Sequence, residues 1–260
     1  MLEQRSFVSP AIGRLEYTLL IPERADGPVP IVYLLHGRGD SAESWAPVID
    51  DLRALPLIAV LPDAPWSDRG GYYVNSAHRD GRPVETAFTR DLVAHAEAQL
   101  PDGLAVAGRA SRVVAGYSMG GFGALRFGLA HPELFGRAVA LSPAAYDPEP
   151  PAGSSAREHG AFGVGDALYD ADRYRALGQR AMLDAFQGPP LDLVLAAGDA
   201  EQPHPGAPDA LAIGPQTAAI ARRARATPAI TVHARTYPGA HDFTVWRPAL
   251  LDALRPLFLR

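Results

Sequence analysis

The stretch VVAGYSMGGFGALRFGLAHP, Val113 to Pro132, constrains the fold of this chain more than any other. It opens as a short apolar strand, turns through Gly116-Tyr117-Ser118-Met119-Gly120, and continues with helical spacing over Met119–Ala130. A Gly-x-Ser-x-Gly run between a strand and a helix puts its serine on a sharp, strained corner. Gly116 and Gly120, two residues either side of Ser118, leave out the Cβ atoms that would collide where strand end and helix start meet. The corner raises a hydroxyl above the end of a strand, and the rest of the chain must supply the sheet beneath it.

Short apolar runs supply that sheet: Leu15–Ile21, Ile31–Leu35, Leu57–Leu61, Val113–Gly116, Ala138–Leu141, Leu191–Ala196 and Ile230–Arg235. Most are too continuous to alternate between core and solvent, as strands covered on both faces are. Segments with helical spacing lie between them: Ser41–Leu55, Val84–Leu100, Met119–Ala130, Leu211–Ala226 and Trp246–Leu259. Alternation of this kind predicts an α/β fold, a mostly parallel central sheet with helices on both faces. Neither an internal repeat nor a linker divides the 260 residues, so one domain over 1–260 is expected. Two irregular stretches, Tyr146–Gly165 and Gln202–Pro208, each follow a predicted strand. Loops at the carboxyl ends of parallel strands shape ligand pockets, and Tyr146–Gly165 reads as a pocket-shaping insertion.

Composition narrows the function. With 47% hydrophobic and 20% charged residues the chain reads as a globular protein with a sizeable core. Its net charge of −5 and lack of a dense arginine block argue against nucleic acid or an anionic membrane as partner. The absence of cysteine excludes disulfides, thiol chemistry and cysteine-ligated metals. No apolar run approaches the roughly 18 residues of a membrane span, and MLEQRSFVSP lacks the pattern of a secretory leader, so a cytoplasmic location is expected. No metal-binding pattern appears, and no cofactor is expected.

A serine hydroxyl needs a base to take its proton, and on a strand–turn–helix corner that base follows the serine and an acid in chain order. His36, His78, His95 and His131 precede Ser118 or follow it too closely. His159 falls in an irregular loop and His233 within a predicted strand. His241, in YPGAHDF between the last strand and the last helix, stands where a loop at the sheet's carboxyl edge reaches back to Ser118. An acid must accept the imidazole Nδ1–H and fix its tautomer. The turn after Leu191–Ala196 offers two, Asp199 and Glu201. The oxyanion of a tetrahedral intermediate needs preorganised donors. The backbone N–H of Met119 is one candidate, and that of Arg38, in LLHGRGD after an earlier strand, is the other. Ser142 ends a strand without flanking glycines and is no nucleophile. Trp45, Trp66, Tyr72, Tyr73 and Phe243 are aromatic candidates for the substrate pocket, and Trp246 is expected to anchor the final helix.

With LLHGRGDSAESW, LPDAP followed by YYVNS, the serine segment through HPELF, ALSPA, VLAAGD and PGAHDFTVWRPAL, the chain resembles the putative-esterase family of α/β-hydrolases. That family includes esterase D, S-formylglutathione hydrolase, enterochelin and feruloyl esterases, and mycolyltransferases. The resemblance implies the α/β-hydrolase fold and a serine hydrolase cleaving carboxylic or thiol esters of small molecules without a cofactor. It maps the nucleophile to Ser118, the base to His241 and the oxyanion donors to Arg38 and Met119. The family's acid stands three residues after the strand-ending glycine, which is Glu201 here, although aspartate is usual there, so Asp199 stays an alternative. An acyltransferase with the same residues, or a non-catalytic binding protein on this fold, are the competing readings.

Overall fold

The computed structural model describes residues 1–258 except 24, 26, 64–70 and 107. Eight strands form one sheet: β1 (Leu2–Ser9), β2 (Gly13–Leu20), β3 (Ile31–Leu35), β4 (Ile58–Asp63), β6 (Arg112–Tyr117), β7 (Arg137–Leu141), β9 (Leu191–Gly198) and β10 (Ile230–Tyr237). Their order is β1-β2-β4-β3-β6-β7-β9-β10. β1 pairs antiparallel with β2 and β2 with β4; the other pairings are parallel. Two short strands, β5 (Ala77–His78) and β8 (Val164–Gly165), pair with each other outside this sheet.

β3, β4, β6 and β7 are buried on both faces, which explains their unbroken apolar runs. In β3, Ile31, Tyr33 and Leu35 enter one core and Val32 and Leu34 the other. The first core lies under α2 (Val84–Thr86), α3 (Val93–Ala98), α4 (Met119–Ala130) and α7 (Ile213–Ala224), along with α5 (Ala171–Leu177) and α6 (Gln179–Asp184). The second lies under α1 (Ile49–Arg53) and α8 (Phe243–Leu254). This is the α/β sheet with helices on both faces that the alternation implied.

The seven expected strands are present, their ends shifted by no more than two residues. β1 was not anticipated: its residues alternate between exposed and half-buried, so neither face carries an apolar signature. The segment expected as one helix over Ser41–Leu55 is a 3-10 helix, Ala42–Val48, leading into α1. Ser41 caps it, its hydroxyl accepting the N–H of Glu43 at 3.2 Å, and Pro47 inside it removes a backbone donor. A π-helical turn, Ala87–Leu92, interrupts the helix expected over Val84–Leu100. α8 begins three residues before the expected Trp246 because the Asp242 carboxylate accepts the N–H of Thr244 at 2.8 Å and caps it there. α5 and α6 were not foreseen; Asp170 caps the first and Gly178 separates them.

A buried ion cluster fixes α4, the helix that follows the serine, to α2 on the same face of the sheet. Arg126 on α4 donates to Glu85 Oε2 at 2.8 Å, and His131 Nε2 lies 2.9 Å from Glu85 Oε1. Burial alone would push the Glu85 carboxyl up. The His131 hydrogen bond and the Arg126 charge outweigh it and hold the pKa below its ordinary value. A carboxyl whose pKa is depressed on folding stabilises the protein above its unfolded pKa, about 4.3, and loses that contribution as pH falls through the folded value. Urea unfolding of the wild type and of Glu85→Gln at graded pH is therefore expected to give a steeper loss of stability below about pH 4.3 for the wild type. Parallel curves would remove Glu85 from the acid response.

Candidate active site

Parallel register gathers the site. Tyr117 pairs with Leu141, Leu141 with Ala196, and Gly198 with Tyr237, so β6, β7, β9 and β10 end at one edge of the sheet. The residues just past those ends are Ser118, Ser142, Glu201 and His241.

Ser118 has φ +56° and ψ −118°, a strained conformation for a residue with a Cβ. Its backbone is tied down on both sides: its N–H donates to Leu141 O at 2.9 Å, and its carbonyl accepts from Phe122 and Ala144 at 3.0 Å each. The glycines leave no alternative. A Cβ on Gly116 would lie 2.3 Å from Gly120 O, and one on Gly120 would lie 2.0 Å from Leu35 O, both backbone atoms. Gly120→Ala is expected to cost at least ~3 kcal/mol, read as a lowered midpoint in urea unfolding. An unchanged midpoint would mean that the strand–helix corner yields.

Ser118 Oγ lies 2.9 Å from His241 Nε2, and His241 Nδ1 lies 2.8 Å from Glu201 Oε2. A carboxylate accepts, so Nδ1 carries the hydrogen and Nε2 is left to accept from the serine. The Glu201 side chain is 1% exposed and that of His241 35%, so the acid is shielded while the histidine faces the opening. The Trp246 ring stands edge-on to the imidazole, centroids 5.1 Å apart at 88°. Asp199 is exposed and does not meet His241. It accepts the N–H of Gly239 at 3.0 Å, while Ala200 N–H donates to Gly239 O at 2.9 Å, and together they stitch the acid's turn to the histidine's.

The loop bearing Arg38 is held from several sides. Tyr73 Oη donates to His36 O at 2.9 Å, the His36 ring donates from Nδ1 to Gly37 O at 2.8 Å, and Tyr117 Oη donates to Asp40 Oδ2 at 2.8 Å. Arg38 and Met119 both line a cavity of about 590 Å³ that opens on Ser118 and His241. The N–H of Met119 is the first of α4 and has no carbonyl to meet within the helix.

The pocket candidates fare differently. Trp66 lies outside the described residues. Trp45 is fully buried and packs edge-on against Tyr117 and Phe243 in the second core. Phe243 packs among Trp45, Tyr117 and Trp246 rather than on the cavity. Tyr73 is 1% exposed with φ +55°, and it braces the Arg38 loop from beneath. Trp45 and Tyr73 are therefore core residues beside the site, and Phe243 is half-buried against the second core. Tyr72 does line the cavity, with its hydroxyl 3.2 Å from Ser155 Oγ. The irregular stretches supply the other walls, through Tyr146, Ser155 and Glu158 on one side and Gln202 to Pro205 on the other. Tyr146 Oη lies 3.2 Å from His204 Nε2, and burial, reinforced by the nearby positive charge of Arg38, lowers the His204 pKa. Tyr146 and His204 were not foreseen, since only the arrangement of two distant loops brings them together.

Among the described residues no group of three His, Cys, Asp or Glu side chains is placed to hold a metal ion, and no helix is long and apolar enough to cross a membrane.

The fold recurs in solved structures. Fluorophosphonate-binding serine hydrolase F of Staphylococcus aureus is similar over 100% of this chain and 99% of its own, with TM-score 0.71 and 18% identity. An S-formylglutathione hydrolase from Agrobacterium tumefaciens matches 99% of this chain and 94% of its own, with TM-score 0.76 and 18% identity. A ferulic acid esterase from Anaeromyces mucronatus matches 98% and 89%, with TM-score 0.66 and 17% identity. No curated protein sequence matches the chain. The family model described as "Putative esterase" matches residues 13–257, nearly the whole sequence. The chain belongs to the putative-esterase family of α/β-hydrolases.

Proposed function

We propose that this esterase-family protein hydrolyses carboxylic or thiol esters of small molecules through an acyl-enzyme on Ser118, with 1–260 acting as one catalytic domain. The hydrogen-bonded chain Ser118 Oγ–His241 Nε2 and His241 Nδ1–Glu201 Oε2, at 2.9 and 2.8 Å, carries this reading. Ser118 Oγ attacks the ester carbonyl carbon as His241 Nε2 takes its proton, and Glu201 stabilises the imidazolium that results. The carbonyl oxygen, now an oxyanion, is held by the N–H groups of Met119 and Arg38. When the tetrahedral intermediate collapses, His241 returns the proton to the departing alkoxide or thiolate. Water then repeats the sequence on the acyl-enzyme and frees the acid.

Transfer to an alcohol would use the same residues. The 35% exposure of the His241 side chain favours hydrolysis, because water reaches the base that must activate it. One experiment separates the readings. With a p-nitrophenyl ester and an added alcohol acceptor, free acid is expected to be the main product, and intact-protein mass spectrometry should catch an acyl adduct on Ser118. Predominant transfer ester would make the protein an acyltransferase. Neither product nor adduct across a panel of acyl lengths would leave a binding protein.

A further inference from the structure

Ser142, the residue just past β7, is fully buried with φ +44°, a region sparsely populated by residues with a Cβ. The backbone there would suit glycine, so the turn alone does not account for the hydroxymethyl group. What the side chain touches does. Ser142 Oγ lies 2.9 Å from Trp246 Nε1 on α8 and 2.5 Å from Glu201 Oε1 beyond β9. An indole N–H only donates, so Trp246 occupies a lone pair of the serine oxygen and leaves the hydroxyl hydrogen to point at Glu201. The Glu201 carboxylate therefore meets three donors. Ser142 O–H and Gly198 N–H, the latter at 2.7 Å, both reach Oε1, and His241 Nδ1–H reaches Oε2.

We propose that Ser142 is a positioning residue of the reaction. With its hydroxyl aimed by Trp246, it turns the Glu201 carboxylate to the angle at which Oε2 meets His241. A glutamate needs this more than an aspartate would. It carries one rotatable bond more, and its terminal torsion, like an aspartate's, is broad and roughly two-fold, so only hydrogen bonds on its oxygens fix the plane of the carboxylate. Gly198 N–H fixes where Oε1 sits, and Ser142, arriving from another strand, fixes the rotation about it. The proposal rests on the reading of Glu201 as the acid that orients His241.

A double-mutant cycle tests it. Ser142→Ala is expected to lower kcat on the order of 10²-fold with KM for the ester nearly unchanged, the penalty of a misplaced catalytic group. In a Glu201→Gln background, where the carboxylate is already gone, the same change should lower kcat by less than about 3-fold. Equal losses in both backgrounds would overturn the proposal, because Ser142 would then act by some route other than Glu201. Stability separates a positioning role from a merely structural one. Ser142→Gly relaxes the positive φ but lacks the hydroxyl, and should lose kcat as Ser142→Ala does. Ser142→Thr keeps the hydroxyl, and should retain most of the turnover at a lower Tm. Turnover that simply follows Tm across the three variants would overturn the proposal; should Ser142→Thr not fold, the cycle and the alanine–glycine pair decide. An unharmed Ser142→Ala beside a crippled Glu201→Gln sinks this inference and leaves the mechanism standing. An unharmed Glu201→Gln sinks both.

Discussion

Ser118→Ala is expected to lower kcat/KM for a p-nitrophenyl ester on the order of 10⁴-fold or more. It should also abolish labelling by a fluorophosphonate probe, while Tm moves by no more than about 2 °C. The loss is large because, among the described residues, Ser118 Oγ is the hydroxyl that meets His241 Nε2; what survives is the rate that the two proposed oxyanion donors provide by themselves. The fold is spared because the backbone of residue 118, not its hydroxyl, ties β6 to its neighbours, through the bonds to Leu141, Phe122 and Ala144. Initial rates, probe labelling and a thermal melt on one preparation check all three outcomes. A variant that stays folded and keeps its turnover would strip Ser118 of the role of nucleophile.

The features legible in the sequence share a physical cause. The Ser118 corner is announced locally: Gly116 and Gly120 face each other within it, so their spacing shows in the sequence even though Gly120 also makes room for Leu35 O of β3. β3, β4, β6 and β7 are legible because burial on both faces leaves their middles apolar, with Asp63, Arg112 and Arg137 only at their ends. His241, whose Nε2 lies 2.9 Å from Ser118 Oγ, could be singled out as a partner for the serine because chain order and its position after the last strand leave few competitors. β1 fails the same criterion: as an edge strand with half-buried faces, its LEQRSFVS reads as surface.

The supporting shell was hidden for a different reason. Tyr73, Trp45 and Phe243 stand in the right segments, but which way an aromatic ring turns is settled by packing between elements far apart in sequence. Tyr73 reaches His36 across 37 residues and Trp246 reaches Ser142 across 104. Ser142 could be rejected as a nucleophile from its neighbours, yet its contact with Glu201 follows only from the register of β7 on β9. The choice between Glu201 and Asp199 likewise turns on how the turn after Gly198 folds, where the two carboxylates face opposite duties.

Those two carboxylates give the second large contrast. Glu201→Gln is expected to lower kcat by about 10³- to 10⁴-fold, whereas Asp199→Asn should stay within about 3-fold of the wild type. The size of the first effect follows from which end of the new amide faces the histidine. Gly198 N–H and the Ser142 hydroxyl both donate to the Oε1 position, so the amide oxygen of glutamine must settle there. Its NH₂ group is then turned to the Oε2 position, against His241 Nδ1. Two donors cannot face each other, so the imidazole keeps its hydrogen on Nε2, the nitrogen that must accept the proton of Ser118. At Asp199 the substitution is mild for the converse reason: the carbonyl oxygen of asparagine can still accept the Gly239 N–H. Steady-state kinetics on the two variants decides between them, and a crippled Asp199→Asn beside an active Glu201→Gln would move the acid to Asp199 and require the loop from Gly198 to Glu201 to rearrange before turnover.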